Sequence, residues 1–156
     1  MSQNFQPPAP DSFTEAPAPA PARTGNIGLG IVAAVVAALV AAGIYGAIIG
    51  GTNHEIGYAA VGVGAVIGLA AGKLGGRNPI LPVLSAILAI GAVVAGQLVG
   101  TAMIGADVLN SGAMDVLTNQ FDLVQESWKE DLDPMSFLFF GLGAVVAFQT
   151  ARKTAA

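Results

Sequence analysis

Ala60, Gly64, Gly68, Gly72 and Gly76 recur at four-residue steps inside an apolar run, residues 56–76, that is about long enough to cross a bilayer. Residues four apart share one side of a helix. The run therefore presents a stripe with almost no side-chain bulk, against which a second helix packs backbone to backbone. This is an architectural signal and not a chemical one.

Three further apolar runs surround it, at residues 27–50, 80–104 and 135–151. Only 10% of the 156 residues are charged, against about 25% in soluble domains. The natural solvent for such a chain is lipid, and the expected fold is an all-α integral membrane four-helix bundle. Each run has its own small face: Ala34, Ala38, Ala42, Gly46 and Gly50 in the first, and Ser85, Ala89, Ala92, Gly96 and Gly100 in the third. The fourth has Gly143, Ala147 and Ala151. The turn at 51–55 leaves room only for a tight hairpin, so the small faces of the first two spans are expected to meet each other.

Residues 1–26 alternate proline and alanine and cannot build a core, so they read as a disordered cytoplasmic tail. Residues 107–133 are acidic and too polar to span. Within them, Leu117, Phe121, Val124 and Trp128 follow three- and four-residue steps, opposite Asp115, Asp122, Glu126 and Lys129. The spacing predicts one amphipathic helix over about 112–132, ended by Pro134. Its apolar side offers a surface for lipid, for the bundle ends or for a partner protein, with Trp128 suited to a membrane interface.

The basic residues orient the chain. Arg23, Lys73, Arg77, Arg152 and Lys153 fall on one side of four alternating spans and Lys129 alone on the other. By the positive-inside rule both termini are cytoplasmic and the 112–132 helix is extracytoplasmic. Heavy use of alanine, glycine, valine and proline suggests a bacterial cell membrane.

Candidate chemistry is sparse. Cysteine is absent, which excludes disulfides and thiolate ligands. Gly68 to Lys73 resembles a phosphate loop but has three residues between glycines where four are needed, and Leu74 replaces the hydroxyl residue. His54 and Glu55 need a carboxylate such as Asp107 or Asp133 to make a metal or proton-relay site. Gln97 is the most polar side chain within a span, and with Ser85 and Thr101 it defines a candidate polar path. No metal, cofactor or catalytic residue is expected, and no basic patch points to nucleic acid.

GYAAVGVGAVIG at 57–68, GGRNPILPVLSAILAIGAVVAGQLVG at 75–100 and DPMSFLFFGLGAVVAFQTARK at 133–153 together resemble a group of small bacterial four-span membrane proteins of unknown function. Members carry a glycine-rich second span, and some carry a zinc-binding module before the first span. Here the cysteine-free tail takes that place, so metal binding does not carry over. The resemblance implies four spans and leaves the function open. The reading of the residues is a non-enzymatic membrane interaction or accessory protein. It is expected to assemble through the outer amphipathic helix and the seams of Ala42, Gly46, Gly50, Ala60, Gly64, Gly68, Gly72, Gly96 and Gly100, alone as a homo-oligomer or with a membrane protein partner. The alternative is an oligomeric transporter or channel.

Overall fold

A computed structural model describes residues 25–155. The expected tail lies outside the described residues apart from Gly25 and Asn26. Asn26 is the N-cap of the first helix, its side-chain oxygen accepting from the backbone of Gly28 at 3.0 Å and Leu29 at 3.3 Å. That bond satisfies amides that have no partner within the helix.

The described residues form six helices: α1 (Ile27–Thr52), α2 (Ala59–Gly75), α3 (Ile80–Leu109), α4 (Ala113–Asn119), α5 (Phe121–Asp131) and α6 (Pro134–Thr154). Three of them, α1, α3 and α6, are long and apolar enough to cross a membrane. The fourth apolar helix, α2, has 17 residues, about 25 Å at 1.5 Å per residue.

Helix ends follow local chemistry. Asn53 and Asn110 close α1 and α3 in the left-handed conformation, at φ 52° and 51°, which asparagine tolerates better than most residues. Asn78 accepts from the backbone N–H of Ile80 at 2.9 Å and so starts α3. Pro134 opens α6 instead of only closing the helix before it, because a proline lacks the N–H that a first helical position does not need. Asp133 caps that helix, accepting from the backbone of Ser136 at 2.7 Å and from its hydroxyl at 2.9 Å.

The seams do not pair as the short turn led us to expect. The most extensive contacts join α1 to α3 and α2 to α6, ahead of α1 to α2. A Cβ added to Gly46 would stand 2.7 Å from the Val99 side chain and 2.8 Å from the carbonyl oxygen of Gly96. One added to Gly100 would stand 2.6 Å from Ile49. On the other seam, Gly64 lies against Gly143, Gly68 against Ala147, and Gly72 against Ala151. Residue numbers rise together along both seams, so each joins parallel helices. The first and second apolar helices do form an antiparallel hairpin, but their close glycine contact is confined to one end, where Gly30 meets Gly75. In four helices that alternate up and down, α2 and α3 lie between α1 and α6, whose Cα atoms nowhere come within 8 Å of each other among the described residues.

The acidic segment also differs. α3 continues to Leu109 and so includes Asp107, and the single helix expected over 112–132 is two, broken at Gln120 (φ −128°, ψ 31°). The break rotates the apolar face. Val116 and Val124 are buried with Ala102 and Ala106 of α3, whereas Phe121 is 43% exposed. Leu117 packs at the edge of this cluster. Together α4 and α5 cap one end of the bundle.

Candidate functional site

The capped end holds the polar network most able to act as a site. Gln97 sits on the α3 side of that end and is only 3% exposed. A buried amide needs partners for both its donor and its acceptor. Its Nε2 donates to the carboxylate of Glu55, in the turn between α1 and α2. Its Oε1 accepts from the indole Nε1 of Trp128, on α5, at 2.9 Å. The two partners also fix the orientation of the amide, since an indole only donates and a carboxylate only accepts. One side chain thus ties three separate elements together.

Two openings flank this network. Gln97, Thr101, His54, Glu55, Trp128 and Asp131 line a pocket of about 330 Å³. Glu55, Asp131, Asp133, Ser136 and Phe139 line a neighbouring one of about 220 Å³. Glu55 belongs to both. Partial burial pushes its carboxyl above the usual range, the hydrogen bond from Gln97 opposes that, and the nearby charges of Asp133 and Asp131 add to it. Asp133 is held below the usual range by the backbone N–H and hydroxyl of Ser136.

The residues of the expected polar path fall at two separate places along α3. Thr101 donates to the backbone oxygen of Gln97 at 3.0 Å and shares its pocket. Ser85 is fully buried more than three turns away and donates to the carbonyl of Leu81 at 2.7 Å. Each polar group is used locally, as hydroxyls in apolar helices commonly are.

His54 is exposed, and its Nδ1 lies 2.9 Å from the carbonyl oxygen of Thr52, so the ring serves its own turn. Among the described residues no group of three His, Cys, Asp or Glu side chains could hold a metal ion. Asp107, on α3, does not line the His54 pocket.

Of the four residues expected on one amphipathic surface, Val124 is buried, Leu117 and Trp128 are half-buried and Phe121 is exposed. Glu55 as the partner of Gln97 had no sequence signal, because 42 residues separate them. Val116 was equally silent, since its burial depends on the break at Gln120.

No family model matches the chain, and comparisons with curated proteins and with solved structures find no similar protein.

Proposed function

We propose that the chain is a small integral membrane protein of four crossings that acts without catalysis, as an interaction or accessory subunit in a bacterial cell membrane. α1, α2, α3 and α6 make the crossings. Both ends of the chain lie on the cytoplasmic side, and the α4–α5 cap lies outside.

Lipid as the solvent is supported by the surface. Val32, Leu39 and Ile44 of α1, Val83 and Ile87 of α3, and Leu138 and Val145 of α6 are all exposed. For the short α2, support comes from its neighbours and its ends. It packs along α6, Tyr58 at one end is 72% exposed, and Lys73 near the other can snorkel to headgroups. The charge asymmetry supports the orientation, with Lys73, Arg77, Arg152 and Lys153 at one end of the bundle and Lys129 alone at the other.

The observation that carries the interaction reading is the use of the buried polar side chains. Gln97, Ser85 and the half-buried Thr101 are all hydrogen-bonded within the chain: Gln97 joins α3 to its neighbours, and the two hydroxyls bond within α3. The outward-facing part of the molecule is then a rigidly attached cap with exposed Met114, Phe121 and Leu123, a surface suited to a partner.

The mass of the protein in native-like nanodiscs, with co-purifying chains identified, tests this. A stoichiometric foreign subunit is the expected result. A homo-oligomer that conducts ions in liposomes would instead favour the transporter or channel reading.

A further inference from the structure

The end of the bundle opposite the cap is basic. Arg77, in the α2–α3 turn, and Arg152, in the last turns of α6, line one open pocket of about 450 Å³ with Asn78, Pro79, Pro82 and Phe148. The guanidinium of Arg152 lies 5.6 Å from the centre of the Phe148 ring, a cation–π distance that favours a fixed position for the charge. The carboxylates among the described residues (Glu55, Asp107, Asp115, Asp122, Glu126, Glu130, Asp131 and Asp133) all belong to the capped end. Among the described residues, neither arginine therefore has a carboxylate at hand.

The other lining residues leave the guanidiniums to dominate the chemistry. Pro79 and Pro82 have no N–H to offer, and the side-chain oxygen of Asn78 already accepts from Ile80. What remains is two arginine forks and the Asn78 amide N–H groups beside an apolar wall of proline and phenylalanine. A planar guanidinium matches phosphate oxygens two at a time. Basic pockets between membrane helices on the cytoplasmic side are suited to anionic headgroups.

We propose that Arg77 and Arg152 jointly clamp the phosphodiester of an anionic phospholipid, whose glycerol and upper acyl chains lie along Phe148 and Pro82. The assignment rests on the membrane reading above. It adds a defined lipid site to it, formed by two helix ends that are far apart in the chain.

The test uses the full chain, delipidated in a neutral detergent and titrated with phosphatidylglycerol or phosphatidylcholine under native mass spectrometry. Wild type should retain one phosphatidylglycerol in preference to phosphatidylcholine. R77Q/R152Q should bind it at least about tenfold more weakly, while K73Q/K153Q, which removes the same charge outside the pocket, should bind within about twofold of wild type. Equal losses in the two double variants would mean diffuse attraction and overturn the clamp. So would the absence of a phosphatidylglycerol preference, or displacement of the lipid by millimolar inorganic phosphate, which would make this a site for free phosphate. Should R77Q/R152Q fail to fold by circular dichroism, R77K/R152K decides. It keeps the charge and loses the fork, so binding equal to wild type would overturn the proposal. Failure of the membrane reading itself would show separately, as recovery of the chain in the soluble fraction after lysis.

Discussion

The indole N–H of Trp128 donates to the side-chain oxygen of Gln97 at 2.9 Å, across 31 residues of sequence. This bond attaches the cap to the bundle, and the one from Gln97 to Glu55 ties α3 to the turn between α1 and α2. Replacing Gln97 with Leu leaves both an indole donor and a carboxylate without their partner. That should cost about 2 kcal/mol. Trp128→Phe should cost about 1 kcal/mol, and the double variant should cost less than the sum of the two. Thermal unfolding in detergent reads all three, and strict additivity would show that the bond contributes nothing.

Val124 and Phe121 give opposite expectations for the cap. Val124 is 3% exposed and Phe121 43%. Val124→Asp buries a charge and should detach α5 at a cost of roughly 3 kcal/mol, seen as rapid proteolysis within 113–131. Phe121→Glu should leave the protease pattern nearly unchanged. Equal sensitivity of the two variants would contradict the break at Gln120.

Two glycines of α1 should respond with opposite signs. At Gly43 an added Cβ meets nothing within 4 Å, whereas at Gly46 it meets Val99 and the Gly96 backbone. Gly43→Ala should stabilise by about 0.5 kcal/mol through the lower chain entropy of the unfolded state. Gly46→Ala should destabilise by about 1 kcal/mol or more, because α1 and α3 must move apart. Gly68→Leu should separate α2 from α6 and leave the Gly30–Gly75 contact of the hairpin intact. Disulfide trapping between cysteines placed on each helix pair distinguishes the two seams.

The acidic side of the pH–stability curve should carry two contributions of opposite sign. Glu55 has its pKa raised above the ordinary 4.5, so the folded chain holds this proton more tightly than the unfolded chain does. Its contribution is full below 4.5 and is lost as pH rises through the folded value. Asp133 has its pKa lowered from 3.8, so its contribution is present above 3.8 and is lost as pH falls through the folded value. Melting temperature should therefore rise on mild acidification from neutrality and fall once Asp133 is protonated. Glu55→Gln should abolish the rise and spare the fall. A variant that keeps the rise would place its origin elsewhere.

Asp133→Ala should lower stability by uncapping α6, and Asp133→Asn by much less, since asparagine caps as well as aspartate does. Amide exchange in the first turn of α6 should report the difference. Similar exchange in both variants would assign the effect to charge and not to the cap.

Much of the architecture was legible in the chain. Long apolar runs with helical spacing of small residues dictate apolar helices, because helix periodicity is a local property that each segment carries alone. The segregation of Lys73, Arg77, Arg152 and Lys153 from the acidic residues likewise follows from their order along alternating helices. Tertiary structure decided which seam met which. Four helices with similar glycine and alanine stripes are nearly interchangeable as partners, and a short turn between α1 and α2 limits their distance without choosing the face they share. Packing of the whole bundle turned Gly46 and Gly50 toward α3, and Gly64, Gly68 and Gly72 toward α6. The same holds for Gln97. Its burial among apolar residues demanded a partner, but only the folded bundle, by bringing the 53–58 turn and α5 to the same end, supplied Glu55 and Trp128.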